Sequence, residues 1–226
     1  MIIAQISTVQ DTVVTEVGGG ESVRILDLLL QGGFMMIPIL ILSIMAVYIF
    51  VERVLTINKA AKIPQQFISQ IRDLVERGDI SAAKMLCQQN DSPVGRMIDK
   101  GISRIGSPLK NIEVSIENVG KIEIFKLEKN LSLLATISGS APMLGFLGTV
   151  IGMIQAFIAI AQEEGSVSPK LLSEGIYTAM VTTAFGLFVG ILAYLGYNYL
   201  VTRVQKVVHN MEYSSVEFID LLQEPR

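Results

Sequence analysis

The chain has 226 residues, a net charge of −3 and a mean hydropathy of +0.52, with 50% hydrophobic but only 17% charged residues. Soluble globular domains carry ~25% charged residues, so the composition is that of an integral membrane protein with a modest soluble part. The slightly acidic balance speaks against a nucleic-acid partner. With a single cysteine, Cys87, and a single histidine, His209, neither an intrachain disulfide nor a Cys/His metal centre can be assembled.

The N-terminus, Met1-Ile2-Ile3-Ala4-Gln5, lacks the basic start and apolar core of a cleaved signal. Residues 1–33 are expected to form an external tail, ending in Gly18-Gly19-Gly20, and an amphipathic helix. Ser22 is its candidate N-cap and Val23, Leu26, Leu29 and Leu30 its apolar face, suited to a membrane surface or a neighbouring subunit. Gly32-Gly33 ends it. The uncharged run Phe34–Val51, closed by Glu52-Arg53, predicts the first transmembrane helix over 34–53. Pro38 is tolerable near its start, where fewer backbone bonds are lost. Its large Met, Ile, Leu and Phe side chains suit a lipid-facing helix.

Residues 54–130 form the expected cytoplasmic helical region. Pro64 suits the first position of a helix with Ile68, Ile71, Leu74 and Val75 on one face. Gly78-Asp79 makes a turn, and Asp79 or Ser81 caps a short helix through Leu86 and Cys87, the latter read as a small buried hydrophobe. Ser92-Pro93 opens a third helix with Val94, Met97, Ile98 and Ile102 inward, Gly106 ends it, and Ser107-Pro108 predicts another N-cap and N1 pair. Such helices are too small for a stable core of their own, so they are expected to pack on longer helices leaving the membrane. From Pro108 the pattern predicts an unbroken helix into the second span, with Ile124, Leu127, Leu131 and Leu134 apolar and Glu117 paired with Lys121. After the third span, in the C-terminal helix 202–226, Val204, Val208, Met211, Ser215, Phe218 and Leu222 predict a coiled-coil-like stripe. His209 reads as a solvated side chain.

The second and third spans are predicted over 131–161 and 175–201, joined by an external loop over 162–174. Their cores, Thr136–Ala161 and Gly175–Tyr199, contain no Lys, Arg, Asp, Glu or His and exceed the ~20 residues a crossing needs. Arg53, Lys59, Lys62, Lys121, Lys126, Lys129, Arg203 and Lys206 flank one side, predicting an outside N-terminus and a cytoplasmic C-terminus. Ala141, Gly145, Gly148, Thr149, Gly152 and Ala156 share one face of span two. Ala179, Thr182, Thr183, Gly186, Gly190 and Ala193 share one face of span three. Lipid offers no hydrophobic drive for helix association, and small residues permit the close packing that replaces it. Packing alone accounts for the Gly-x-x-x-Gly spacings. A lumen that admits a partner helix or a few waters accounts also for Thr149, Thr178, Thr182 and Thr183. A proton relay within the bilayer usually needs Asp, Glu or His, so if these spans conduct protons another chain must bring the titrating group.

These two segments resemble the MotA/TolQ/ExbB proton-channel proteins. Ala141-Pro142-Met143-Leu144-Gly145-Phe146-Leu147-Gly148-Thr149-Val150-Ile151-Gly152-Met153 is similar to that family's second-span signature. Gly175-Ile176-Tyr177-Thr178-Ala179-Met180-Val181-Thr182-Thr183-Ala184-Phe185-Gly186-Leu187 is similar to its third, and of the family's branches the pair is most like ExbB. The resemblance implies an all-α inner-membrane protein with three spans, two of them extending into the cytoplasm. It implies a homopentamer around a dimer of an ExbD- or TolR-like single-span protein that carries the membrane Asp, working with a TonB-like protein. Thr149 and Thr183 match the polar positions facing that Asp, and proton passage would energise TonB-dependent outer-membrane transport. Common ExbB and TolQ members carry Glu where this chain has Thr178. A Tol-Pal subunit is the nearest alternative and a structural ring scaffold the alternative of another class. A flagellar stator subunit would have four spans. No nucleophile–base pair, metal set or phosphate loop supports an enzyme or a cofactor.

Overall fold

The computed structural model describes residues 32–62, 66–162 and 169–223. The described residues are helical throughout, in seven helices: α1 (Met36–Ala60), α2 (Phe67–Glu76), α3 (Ile80–Gln89), α4 (Pro93–Ile102), α5 (Leu109–Glu128), α6 (Leu131–Gln162) and α7 (Pro169–Gln223). Stretches long and apolar enough to cross a membrane lie within Met36–Ala60, Leu109–Gln162 and Gly175–Gln223. The all-α, three-span class expected from the sequence is what the structure shows. The tail, the Ser22 helix, Pro64 and residues 163–168 of the expected loop lie outside the described residues.

The chain divides into two compact units. One contains Met143–Leu187 together with the described part of Met1–Leu40. Its helices begin with α1, whose Pro38 falls in the first turn, where its missing N–H costs no intrahelical bond. The other unit contains Ile41–Pro142 and Phe188–Arg226. In it the outward face of α1 bears Ile41, Ile44, Val47, Tyr48, Val51 and Leu55, all exposed, as a lipid-facing helix requires.

Within this second unit the short helices pack on longer ones. Asp79 is the N-cap of α3, accepting from the Ala82 N–H at 3.0 Å, while the Ser81 hydroxyl donates to its carboxylate at 3.0 Å. Ser92 caps α4 by accepting from Gly95 N–H at 3.0 Å, with Pro93 at N1. Val94, Met97, Ile98 and Ile102 are buried as expected. Gly101 is fixed by its neighbours: a Cβ there would stand 2.7 Å from both Ile116 Cδ1 of α5 and Phe218 Cε1 of α7. Cys87 is buried, and burial, reinforced by the negative charge of Asp99, pushes its thiol up to about 12. It is inert at neutral pH.

Three local expectations are corrected. Ser107 does not cap α5; Pro108 takes the N-cap position, with ψ 137 and no side-chain cap, and its carbonyl accepts from Asn111 N–H at 2.8 Å. The helix from Pro108 is not continuous into the second span. It stops at Glu128, Lys129 turns extended (ψ 135), and Asn130 adopts φ 63 before α6 begins at Leu131. Asn tolerates this left-handed conformation better than other non-glycine residues, and the two-residue break leaves Leu127, Leu131 and Leu134 all buried. The apolar period therefore runs through a break it cannot reveal. Finally, the buried stripe of α7 is Leu200, Val204, Val207, Met211, Ser214 and Phe218. Val207 and Ser214 replace the predicted Val208 and Ser215, because the adjacent like pairs Val207-Val208 and Ser214-Ser215 let two phases satisfy the same period.

The break leaves the last carbonyls of α5 without intrahelical donors. Arg53, buried two turns before the end of α1, donates from Nη1 to the Lys126 carbonyl at 3.0 Å and pairs with Glu52 through its other nitrogens. Beside it, Glu123 of α5 is buried and accepts from Arg96 and Lys126, each at 2.7 Å; Arg96 also reaches Asp91 at 2.7 Å, which Lys59 binds at 2.7 Å. Burial would raise the Glu123 carboxyl, but its hydrogen bonds from Arg96 and Lys126 outweigh burial and hold it below the usual value.

Two outcomes follow. Asn130→Gly preserves stability, whereas Asn130→Val costs about 1–2 kcal/mol by forcing a β-branched residue to positive φ; thermal unfolding in detergent measures both. Because Glu123 is depressed, its stabilisation is complete above the unfolded carboxyl value of ~4.3 and is lost as pH falls through the lower folded value. Melting temperature should therefore drop on the acid side of that window, and Glu123→Gln, less stable at neutral pH, should show a smaller acid-side drop.

Candidate ion-pathway site

In the first unit the segments 143–162 of α6 and 169–187 of α7 approach closely enough for backbones to touch. A Cβ on Gly145 would stand 3.0 Å from the Thr182 carbonyl oxygen, 3.1 Å from Thr183 Cα and 3.2 Å from Gly186 Cα. One on Gly148 would meet Thr182 Oγ1 at 2.6 Å, and one on Gly152 would meet Ala179 Cβ at 3.0 Å. Successive contacts step forward along α6 and backward along α7, which is antiparallel packing. Gly175, which the sequence motifs did not single out as a packing residue, closes the series: a Cβ there would lie 2.6 Å from Ala156 Cβ. In the second unit Gly190 plays the same part, since its Cβ would meet Pro142 Cγ at 2.5 Å.

The four threonines are placed differently. Thr183 Oγ1 donates across the helix pair to the Gly145 carbonyl at 2.9 Å and stays half-buried. Thr182, at 1% exposure, lies beneath Gly148 and donates to the Ala179 carbonyl at 2.8 Å. Thr149 donates to its own helix, at the Phe146 carbonyl, at 2.6 Å, and is half-buried. Thr178 makes no side-chain hydrogen bond among the described residues; its Cγ2 lies 3.6 Å from where a Cβ of Gly33 would be. Gly33 has φ +66, a conformation that suits glycine. So the hydroxyl protons of Thr149, Thr182 and Thr183 are committed to carbonyls, and what each still offers is a lone pair that accepts.

Neither Met143–Ala161 nor Gly175–Leu187 contains Asp, Glu, His, Lys or Arg. No group of three metal-ligating side chains occurs among the described residues. The arrangement can therefore pack helices and accept hydrogen bonds, but it holds no carboxyl or imidazole for storing a proton. The sequence read Arg53 only as a charge flanking the first span: its contact with the Lys126 carbonyl depends on a helix break that no Gly or Pro marks.

Three helical stretches long and apolar enough to cross a membrane, in a chain that is helical over its described residues, define a multi-pass membrane protein. The sequence profile of the MotA/TolQ/ExbB proton channel family matches residues 89–213, and the chain belongs to that family. It is 28% identical over 189 residues to a putative biopolymer transport protein ExbB homolog of Methanothermobacter thermautotrophicus, covering 83% of this chain and 67% of that one. It is 33% identical over 99 residues to biopolymer transport protein exbB1 of Vibrio cholerae, covering 44% and 43%. It is 34% identical over 100 residues to the Tol-Pal system protein TolQ of Haemophilus influenzae, again covering 44% and 43%.

The close approach at Gly148 sets an expected outcome. Gly148→Ala should destabilise the folded chain by about 1–3 kcal/mol through overpacking, although alanine is the better helix former by ~1 kcal/mol. Unfolding in detergent, compared with wild type, reads the balance.

Proposed function

We propose that this protein is the channel-forming subunit of an inner-membrane motor that uses the proton motive force to energise TonB-dependent outer-membrane transport. On this reading it assembles as a homopentamer with a periplasmic N-terminus and a cytoplasmic C-terminus. It surrounds a dimer of an ExbD-like single-span protein, and a TonB-like protein receives the work. The observation that carries the reading is the pairing of an uncharged span interior with hydroxyls whose protons are already engaged, Thr183 on Gly145 and Thr149 on Phe146. Such oxygens can accept a hydrogen bond from a protonated carboxyl but have no proton of their own free to give to a carboxylate. They favour the neutral form of a partner Asp, which is the form that can move through a low-dielectric environment. Thr178 adds a hydroxyl without a partner among the described residues. Thr182 and the glycines Gly145, Gly148, Gly152, Gly186 and Gly190 keep the lining helices at the required distance. The proposed regions are 1–33 and 162–174 on the periplasmic side, spans over 34–53, 131–161 and 175–201, and 54–130 with 202–226 in the cytoplasm.

A Tol-Pal role is the second reading, supported by the TolQ relative's similar identity and coverage. Identifying the single-span protein that co-purifies in mild detergent separates the two. Thr183→Val tests the shared mechanism, because it keeps the side-chain shape and deletes the hydroxyl. Interhelical hydrogen bonds in membranes are worth ~0.6 kcal/mol on average, so assembly should persist. TonB-dependent uptake in a strain lacking its own subunit should fall several-fold. Undiminished uptake with intact assembly would favour a ring scaffold instead.

A further inference from the structure

The second unit holds an apolar cavity of about 410 Å³ between α1, α6 and α7, lined among others by Ala46, Phe50, Leu134, Val189, Gly196 and Tyr199. It is open on one side, where Val47, Leu192 and Leu195 are all more than half exposed. Its floor is shaped by Gly196, where a Cβ would stand 3.0 Å from Phe50 Cδ2. Along α7 the lining runs from Val189 to Tyr199, which at 1.5 Å per residue is ~15 Å. That is half of a ~30 Å hydrocarbon core, the depth of one leaflet. The groove thus has the length and polarity of a single acyl chain.

Its C-terminal end carries a charge. Arg203, one turn beyond Tyr199, places its guanidinium carbon 5.2 Å from the Tyr199 ring centroid and donates from Nε to the Tyr199 hydroxyl at 3.1 Å. Among the described residues no carboxylate pairs with Arg203, so its two Nη groups remain available for a bidentate anion such as a phosphate. Tyr199 itself has an apolar ring in the groove and a polar tip at its edge, the disposition favoured at a membrane interface.

We infer that this groove is a phospholipid site. One acyl chain of the leaflet that meets the C-terminal half of the third span lies along Val189–Tyr199, and its anionic headgroup is held by Arg203. The occupant is a lipid rather than a second copy of the chain because the groove ends on Arg203, a cation that no carboxylate pairs among the described residues and that follows the apolar span by a single turn. A lipid would wedge α1 against α7 from the bilayer side, so membrane composition would bear on the packing of this unit.

The test exploits the absence of tryptophan from the chain. Val47→Trp places a single reporter on the open rim of the groove, and Leu195→Trp is the alternative if the first variant loses helical circular dichroism. The full-length protein is reconstituted into vesicles containing brominated phosphatidylglycerol or, at equal bromine, brominated phosphatidylcholine. The reporter should show about a fivefold preference for the anionic lipid, the ratio expected for one arginine at a charged surface. Arg203→Gln should reduce that ratio to about one, and Arg203→Lys should retain most of it. Equal quenching by the two lipids with Arg203 present would overturn the proposal. So would a reporter quenched by neither lipid, which would mean that protein covers the groove, or a preference unchanged by Arg203→Gln.

Discussion

Everything in the first unit depends on how closely two helices can approach in a solvent that does not push them together. In lipid the gain comes from dispersion contacts and from interhelical hydrogen bonds, and both need backbones within touching distance. Gly145 supplies that distance: its missing side chain lets the Thr182 carbonyl and Thr183 Cα come as near as a Cβ would tolerate. The same closeness brings Thr183 Oγ1 within 2.9 Å of the Gly145 carbonyl. A larger residue at this position would separate the helices and remove the bond. One glycine thus carries packing and polarity together.

A different constraint governs the second unit, where helix ends must be satisfied away from the membrane core. Breaking the chain at Lys129 and Asn130 separates α5 from α6 but exposes carbonyls that a continuous helix would have used. Arg53 answers this by donating to the Lys126 carbonyl from the C-terminal half of α1. The neighbouring Glu123 stays charged although buried because two cations bind it. Removing either cation would leave a buried carboxylate underpaired, which costs more than an exposed pair is worth.

The spans were legible because a crossing helix must be long and apolar whatever its neighbours do. Asp79 and Ser92 were legible because capping is local chemistry, decided within four residues. What escaped depended on rotation or on distant partners. Thr182 and Thr183 are adjacent in sequence, yet one hydroxyl turns back to its own helix and the other crosses to Gly145. Only the angle of α7 against α6 decides which. The α7 stripe shifted from Val208 to Val207 for the same reason. Asn130 was invisible because two residues of turn preserved the apolar period on either side, and Gly175 because its partner, Ala156, is far away in sequence.

The central claim is that this chain supplies an accepting, uncharged lining and that another chain supplies the titrating group. Proton uptake into liposomes driven by a potassium diffusion potential tests it most directly, with the purified chain alone and with its co-purified single-span partner. The account predicts flux at the background of empty liposomes for the chain alone and flux above it for the complex. Robust proton uptake by this chain without a partner would contradict it.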